Sequence, residues 1–267
     1  MSRMSLILLA VALHQTALSA QSDSPREAVI TRVALIQRAD YEADRPALKR
    51  LFEELTPFVD APGLSARVRY WRGFALWRRA INGLYGSPAN DPREFEPDLL
   101  QAVDEFEKAV TNDPAFVDAK VGAASCLGYV MFINQKDAAR LQELTPRTLA
   151  LLKEAQAAAP ENPRLLWVRG PTEWYLGPTR GGGELVALAT YEKGLELARK
   201  QKGSIADPLE PSWGEPELLM NLAWSNLNRT TPDVKAAEAY ALEALKIVPY
   251  WRFVRDILLP QIQKAKG

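Results

Sequence analysis

The sequence predicts an all-α chain: a helical-repeat solenoid of degenerate helix hairpins with capping helices at both ends. Three observations carry this. Proline recurs behind a capping side chain, stretches rich in Ala, Leu, Glu, Lys and Arg lie between those points, and a small–large–small spacing returns along the chain. These are helix-start signals, helix-favouring composition and a repeat period, respectively. No stretch sustains the period-2 alternation of a strand.

The N-terminus comes first. Arg3 precedes an apolar run from Leu6 to Leu13, and Ala17-Leu18-Ser19-Ala20 ends in small residues before Gln21. That is the layout of a cleavable export signal, with cleavage expected after Ala20. The run is too short to cross the ~30 Å hydrocarbon layer. No cysteine follows it to take a lipid. Residues 1–20 are therefore read as a signal peptide, and the mature chain as periplasmic or secreted, with no integral membrane segment.

Ser24-Pro25, Thr145-Pro146 and Thr231-Pro232 each put a hydroxyl before a proline. The hydroxyl accepts an orphan N–H, and proline at the first helical position has none to lose. Ser24 and Glu27 complete a capping box. Glu96-Pro97, Asp113-Pro114, Asn162-Pro163 and Glu215-Pro216 read as further starts. Residues 21–63 are expected to hold N-terminal capping helices, split near Ala43–Arg45. Residues 64–249 are expected to form the repeats, and 250–267 a C-terminal capping helix kinked or ended at Pro260. Each repeat hides its apolar face only against a neighbour, so the ends need caps.

The repeat is set by Ala102, Phe106, Ala109 and Pro114. Thr148, Leu152, Ala155 and Pro160 follow the same spacing, then Ala187, Tyr191 and Gly194 without the proline, then Ala237, Ala241, Ala244 and Pro249. Small residues of the partner helices lie upstream, at Ala75, Ala124, Gly170 and Ala223. Helices approach closely only where side chains are small, and a large residue one turn away plugs the next groove. Tyr70, Phe74, Trp77 and Ile81 form an apolar stripe at helical spacing.

This pattern resembles the tetratricopeptide repeat (TPR). The best match is Ala102-x3-Phe106 with Ala109 and Pro114, and Trp71-x2-Phe74-Ala75 supplies the first-helix half. The resemblance covers about residues 64–249 and implies a right-handed solenoid of TPR-like hairpins. The interval from Ala75 to Ala102 is 27 residues, well over the family's usual interval, so the hairpins carry insertions. A coarser resemblance, to uncharacterised exported repeat proteins of bacteria, rests on Asn162-Pro163-Arg164, Gly181-Gly182-Gly183 and Trp213-Gly214. It implies no activity.

Composition narrows the function. Lys+Arg and Asp+Glu are both 33, a net charge of zero. Such a chain has no global field for nucleic acid or an anionic membrane. His14 is the single histidine and lies in the segment to be removed, and Cys126 is the single cysteine. Catalytic machinery using histidine and the usual zinc sites are thus out of reach, and no cofactor is expected. Cys126, among Ala123, Ala124 and Leu127, reads as a buried inert thiol.

Three features are candidate sites. Arg180 with Gly181, Gly182 and Gly183 precedes a predicted helix, where Gly-rich backbone can cradle an anion. A tight turn between helices explains the glycines equally. Residues 203–216 form a long loop, and Trp213 within it is expected either to cover Trp174 and Tyr175 as a ligand cleft or to plug the loop onto its neighbours. Arg69, Arg72 and Arg79 share a helix face. They would meet an acidic partner, or pair with Asp98, Asp104, Glu105 or Glu107 of the next helix. The expected function is a non-enzymatic scaffold or adaptor holding a protein or peptide in its concave face. The alternative is a small-ligand-binding accessory protein, similar to transporter-associated TPR subunits. An enzyme would have only Asp and Glu to work with.

Overall fold

A computed structural model describes residues 24–87 and 89–266. The expected signal peptide lies outside them. The described residues form eleven α-helices and no strand. In order these are α1 (Pro25–Tyr41), α2 (Arg45–Glu54), α3 (Ser65–Leu84), α4 (Glu96–Asn112), α5 (Val117–Ile133), α6 (Ala138–Ala158), α7 (Pro163–Tyr175), α8 (Glu184–Gln201), α9 (Glu215–Asn228), α10 (Val234–Ile247) and α11 (Leu259–Lys264).

Several helix starts follow the local chemistry directly. Ser24 caps α1 in a reciprocal box with Glu27. Asn162 accepts from the N–H groups of Arg164 and Leu165 at the start of α7, with Pro163 in the first position. Three expected starts are displaced; at one of them, Asp113-Pro114, Asp113 ends α4 and α5 begins only at Val117. Pro146 sits inside α6, which begins at Ala138 under an Asp137 cap. A proline there removes one backbone hydrogen bond, and nearby hydroxyls satisfy carbonyls on either side: Thr145 donates to Leu141 O and Thr148 to Leu144 O. Thr231-Pro232 is also not a cap, because Asp233 takes that role for α10. In both cases an Asp nearby outcompetes the hydroxyl. Pro260 does not end its helix either. A π-turn at Val254–Leu258 precedes it and widens the ladder where the proline N–H is missing.

Helices α3/α4, α5/α6, α7/α8 and α9/α10 pack as four successive hairpins. The small–large–small residues lie where expected: Ala102, Phe106, Ala109, Ala237, Ala241 and Ala244 are all fully buried. Phe106 explains the spacing physically. A Cβ on Gly73 would stand 3.0 Å from its ring, and one on Gly122 would stand 2.6 Å away. Phe106 of α4 is thus wedged between the first helix of its own hairpin and that of the next. Tyr191 of α8 stands in the same way over Gly170 of α7.

The repeat closes on itself. The Tyr41 hydroxyl, at the end of α1, donates to Glu217 Oε1 of α9 at 2.7 Å. The Tyr41 ring meets Trp251 edge-on at 5.1 Å. Arg26 pairs with Asp207 at 2.6 Å, and Arg38 lies over the ring of Tyr250. One hydrophobic core consequently runs from Val29 to Ile262, with a small satellite at Val121, Ala155 and Leu165.

Candidate functional site

The concave side begins with α3. Its stripe of Tyr70, Trp71, Phe74 and Trp77 is fully buried. What buries it is the loop between α8 and α9. The Trp71 indole donates to Leu209 O at 2.8 Å, and Arg67 pairs with Glu210. Trp213 is 6% exposed, and its indole donates to the Tyr70 hydroxyl at 2.8 Å. Its ring lies 5.6–5.7 Å from those of Phe74, Trp77 and Trp167. Arg164 holds its carbonyl at 3.1 Å. The segment Leu209–Gly214 therefore occupies the groove as a bound peptide would. The expected open concave face is filled by the chain itself.

The expected cleft of Trp174, Tyr175, Arg180 and Trp213 does not assemble, because Trp213 is committed to this core. Trp174 instead packs edge-on against Trp224 at 5.4 Å. The glycine loop is a turn, not an anion cradle, because its donors are used. Gly181 N–H donates to Pro178 O, Gly182 N–H to Gly177 O and Gly183 N–H to Glu173 O. Gly181 and Gly183 have positive φ, and a Cβ on Gly182 would strike Leu176 O at 2.3 Å. Those are the conformations that demand glycine. Arg180 is exposed beside this turn.

The arginine face is also internal. Arg72 makes two hydrogen bonds to Glu105 Oε1, donates to Phe52 O, and stacks on the Phe52 ring. Arg69 pairs with the same Glu105, and Arg79 with Asp98. These three arginines staple α3 to α4 and are not a free surface for a partner.

The open aromatic site lies elsewhere, at the far ends of the first helices. The stripe on α3 continues one turn past Ile81 to Tyr85, which is 53% exposed. Tyr85 packs on Phe253 at 6.2 Å. The Tyr85 hydroxyl lies near that of Tyr129 on α5. Tyr175, at the end of α7, is 75% exposed. Tyr85 and Tyr175 are thus exposed at the ends of α3 and α7, Tyr129 is half-buried, and Tyr191 is buried over Gly170. Burial of the hydroxyls raises the pKa of Tyr85, Tyr129 and Tyr191, and a hydrogen bond from Asn221 opposes this at Tyr191. The site offers flat rings with hydroxyl donors. Glu173, in the α7 turn nearby, gives one carboxylate oxygen to Arg169 and leaves the other buried without a partner.

The pattern could have been followed to Tyr85, because the helical stripe simply extends. Tyr129 and Phe253 carry no such signal, and Tyr191 was legible only as the plug of its repeat.

A buried polar cluster lies between α1, α3 and α9. Arg78 Nε donates to Asp40 at 2.7 Å. Glu217 accepts from Tyr41 and from the Gly214 N–H. Cys126 is buried, and burial pushes its thiol pKa well up. Among the described residues no cluster of His, Cys, Asp and Glu is arranged to hold a metal ion, and no helix is long and apolar enough to cross a membrane.

No protein-family profile matches the chain, and no curated protein matches it. Solved structures do. The HusA haemophore from Porphyromonas gingivalis is similar with a TM-score of 0.60 at 18% identity, covering 80% of this chain and 99% of that one. A thermophilic TPR protein in Thermus thermophilus, TTC0263, is similar with a TM-score of 0.51 at 18% identity, covering 91% of this chain and 99% of that one. The chain has a TPR-like, all-α helical-repeat fold.

Proposed function

We propose that this protein is a non-enzymatic, exported carrier of a small, flat, largely apolar ligand, held at the tyrosine mouth. One observation carries the reading. Tyr85 and Tyr175 stand exposed at the ends of α3 and α7, with Tyr85 packed on Phe253, whereas the groove a peptide would use is filled by Leu209–Gly214. Aromatic side chains gathered at a surface mark a binding site more often than a bare solvent face. A peptide in the concave groove would first have to displace Trp213 from the core, which disfavours that reading.

A tetrapyrrole is the ligand class to test first, because a haemophore shares this fold over nearly its whole length. Export is supported by the Arg3, Leu6–Leu13 and Ala20 arrangement. The protein's part in binding is to stack the ligand between rings and to offer hydroxyl donors to its polar edge.

The experiment is a titration of the mature chain with haemin and with protoporphyrin IX, followed by absorbance and tryptophan fluorescence. Saturable binding is expected, weakened at least tenfold in Tyr85→Ala/Tyr175→Ala with an unchanged melting temperature. Absence of saturable binding to either compound overturns the reading.

A further inference from the structure

We propose that the mouth continues into a slot between α5, α6 and α7, where a flat ring of the ligand lies over Gly128 with Phe132 and Leu149 as its walls. This rests on the reading that the mouth binds a small, flat, apolar ligand, and it adds where the ring is seated.

The glycines point to this place. Among the described residues, Gly73, Gly83, Gly122, Gly170 and Gly194 are helical glycines that each lie under a side chain from elsewhere in the chain, at 3.0 Å or less from an added Cβ. Phe106 covers Gly122, and Tyr191 covers Gly170. Gly128 also lies inside a helix, α5, but a Cβ there would meet no atom within 4 Å. Glycine weakens a helix interior relative to alanine, and no contact within the protein asks for it at this position. A ring from outside the chain fits over Gly128 as Phe106 fits over Gly122.

The packing around Gly128 keeps the space open. Helices α5 and α7 are the first helices of successive hairpins and run in parallel. They meet at Val121 and Leu165, which are buried together with Ala155 of α6. Two turns further along, about 10 Å, Gly128 and Thr172 occupy the same two faces, and Thr172 is exposed. On the antiparallel α6 the same step runs from Ala155 back toward Leu149. Leu152 still packs against the satellite core, whereas Leu149 is 60% exposed. Arg169 of α7 donates to Gln156 of α6 at 2.9 Å and closes the seam at its packed end. The seam is thus sealed at Val121, Ala155 and Leu165 and open at Gly128.

The rim of the opening is apolar. Phe132 stands one turn beyond Gly128 on the same face of α5 and is 60% exposed. Tyr175 stands one turn beyond Thr172 on α7, so the slot opens at the mouth. Large apolar side chains left exposed together mark a binding surface. A bare backbone floor between a phenyl ring and an aliphatic wall suits a flat conjugated ring, which stacks on the one and packs against the other.

The test fills the slot without touching the core. Protoporphyrin IX is titrated into the wild-type mature chain, Gly128→Ala, Gly128→Leu and Leu149→Ser, with Leu242→Ser as a control on an exposed leucine of α10. Gly128→Ala should melt no lower than the wild type, because its methyl group enters empty space and alanine favours the helix. Gly128→Leu should bind about tenfold more weakly and Leu149→Ser about threefold, since the ring loses its seat or one wall. Leu242→Ser should bind as the wild type does. A lowered melting temperature in Gly128→Ala would show that the chain itself fills the space, and overturns the slot. Wild-type affinity in both Gly128→Leu and Leu149→Ser also overturns it, and leaves the mouth reading, tested at Tyr85 and Tyr175, standing. Absence of saturable binding to the wild type overturns both. Should Gly128→Leu not fold, Leu149→Ser and the melting temperature of Gly128→Ala still decide.

Discussion

The Trp213 indole donates to the Tyr70 hydroxyl at 2.8 Å across 143 residues of sequence, and this bond pins the α8–α9 loop into the centre of the repeat. Trp213 also meets three aromatic rings there. Trp213→Ala should therefore destabilise the protein by about 3–5 kcal/mol, as for other buried aromatics. Trp213→Phe keeps most of the packing and loses the hydrogen bond, so its cost should be smaller by at least half. Chemical denaturation of the two variants beside the wild type checks this. A near-neutral Trp213→Ala would mean the loop is not part of the core.

Glu105 receives both Arg69 and Arg72. Arg72 and Glu105 are both buried. Removing one partner of a buried pair leaves the other charge uncompensated, at about 3–5 kcal/mol. Glu105→Ala is expected in that range by urea denaturation. Asp104→Ala, one residue away in a solvent-exposed pair with Lys108, should stay within about 1 kcal/mol.

The register of the repeat is tested at Gly122. A methyl group there would stand 2.6 Å from the Phe106 ring. Gly122→Ala should overpack the contact by about 1–3 kcal/mol. Gly122→Ala combined with Phe106→Leu should recover part of that loss, because the two changes act on the same contact. Additive losses in the double variant would contradict the wedge.

Much of this was legible in the sequence, and the reasons are local. The Ala102, Phe106, Ala109 spacing fixes where α3, α4 and α5 touch, since that contact is written in the sizes of neighbouring side chains. The carboxylates facing Arg69, Arg72 and Arg79 were among those expected, because an arginine row on one helix and an acidic row on the next have to meet somewhere. Helix starts at Thr145 and Thr231 were misplaced because Asp137 and Asp233 compete for the same role and only geometry decides. The tyrosine mouth was not legible. Tyr85 extends the α3 stripe, but Phe253 belongs to a distant segment packed against it near the C-terminus, and such long-range placement leaves no spacing behind.

The closure through Tyr41 and Glu217 gives a pH prediction. Glu217 is buried, and desolvation raises its pKa above the usual 4.5, outweighing the nearby Arg78 and the bond from Tyr41. A carboxyl whose folded pKa is raised binds its proton more tightly in the folded state. Its contribution to stability is full below the unfolded pKa and is lost as pH rises through the folded one. Glu217→Gln keeps the shape without the charge. The stability of wild type relative to Glu217→Gln should therefore decline as pH rises from about 4.5, measured by denaturation midpoints between pH 4 and 8. A constant difference across that range would show that Glu217 does not titrate in this window.

The central claim is that ligand enters at the tyrosine mouth while the chain's own loop keeps the groove. Hydrogen exchange of the mature protein with and without protoporphyrin IX tests it directly. The account predicts new protection around Tyr85, Tyr129, Trp174–Tyr175 and Phe253, with exchange in residues 207–214 unchanged. Protection confined to the outer surface, or exposure of residues 207–214 as the ligand binds, would contradict it.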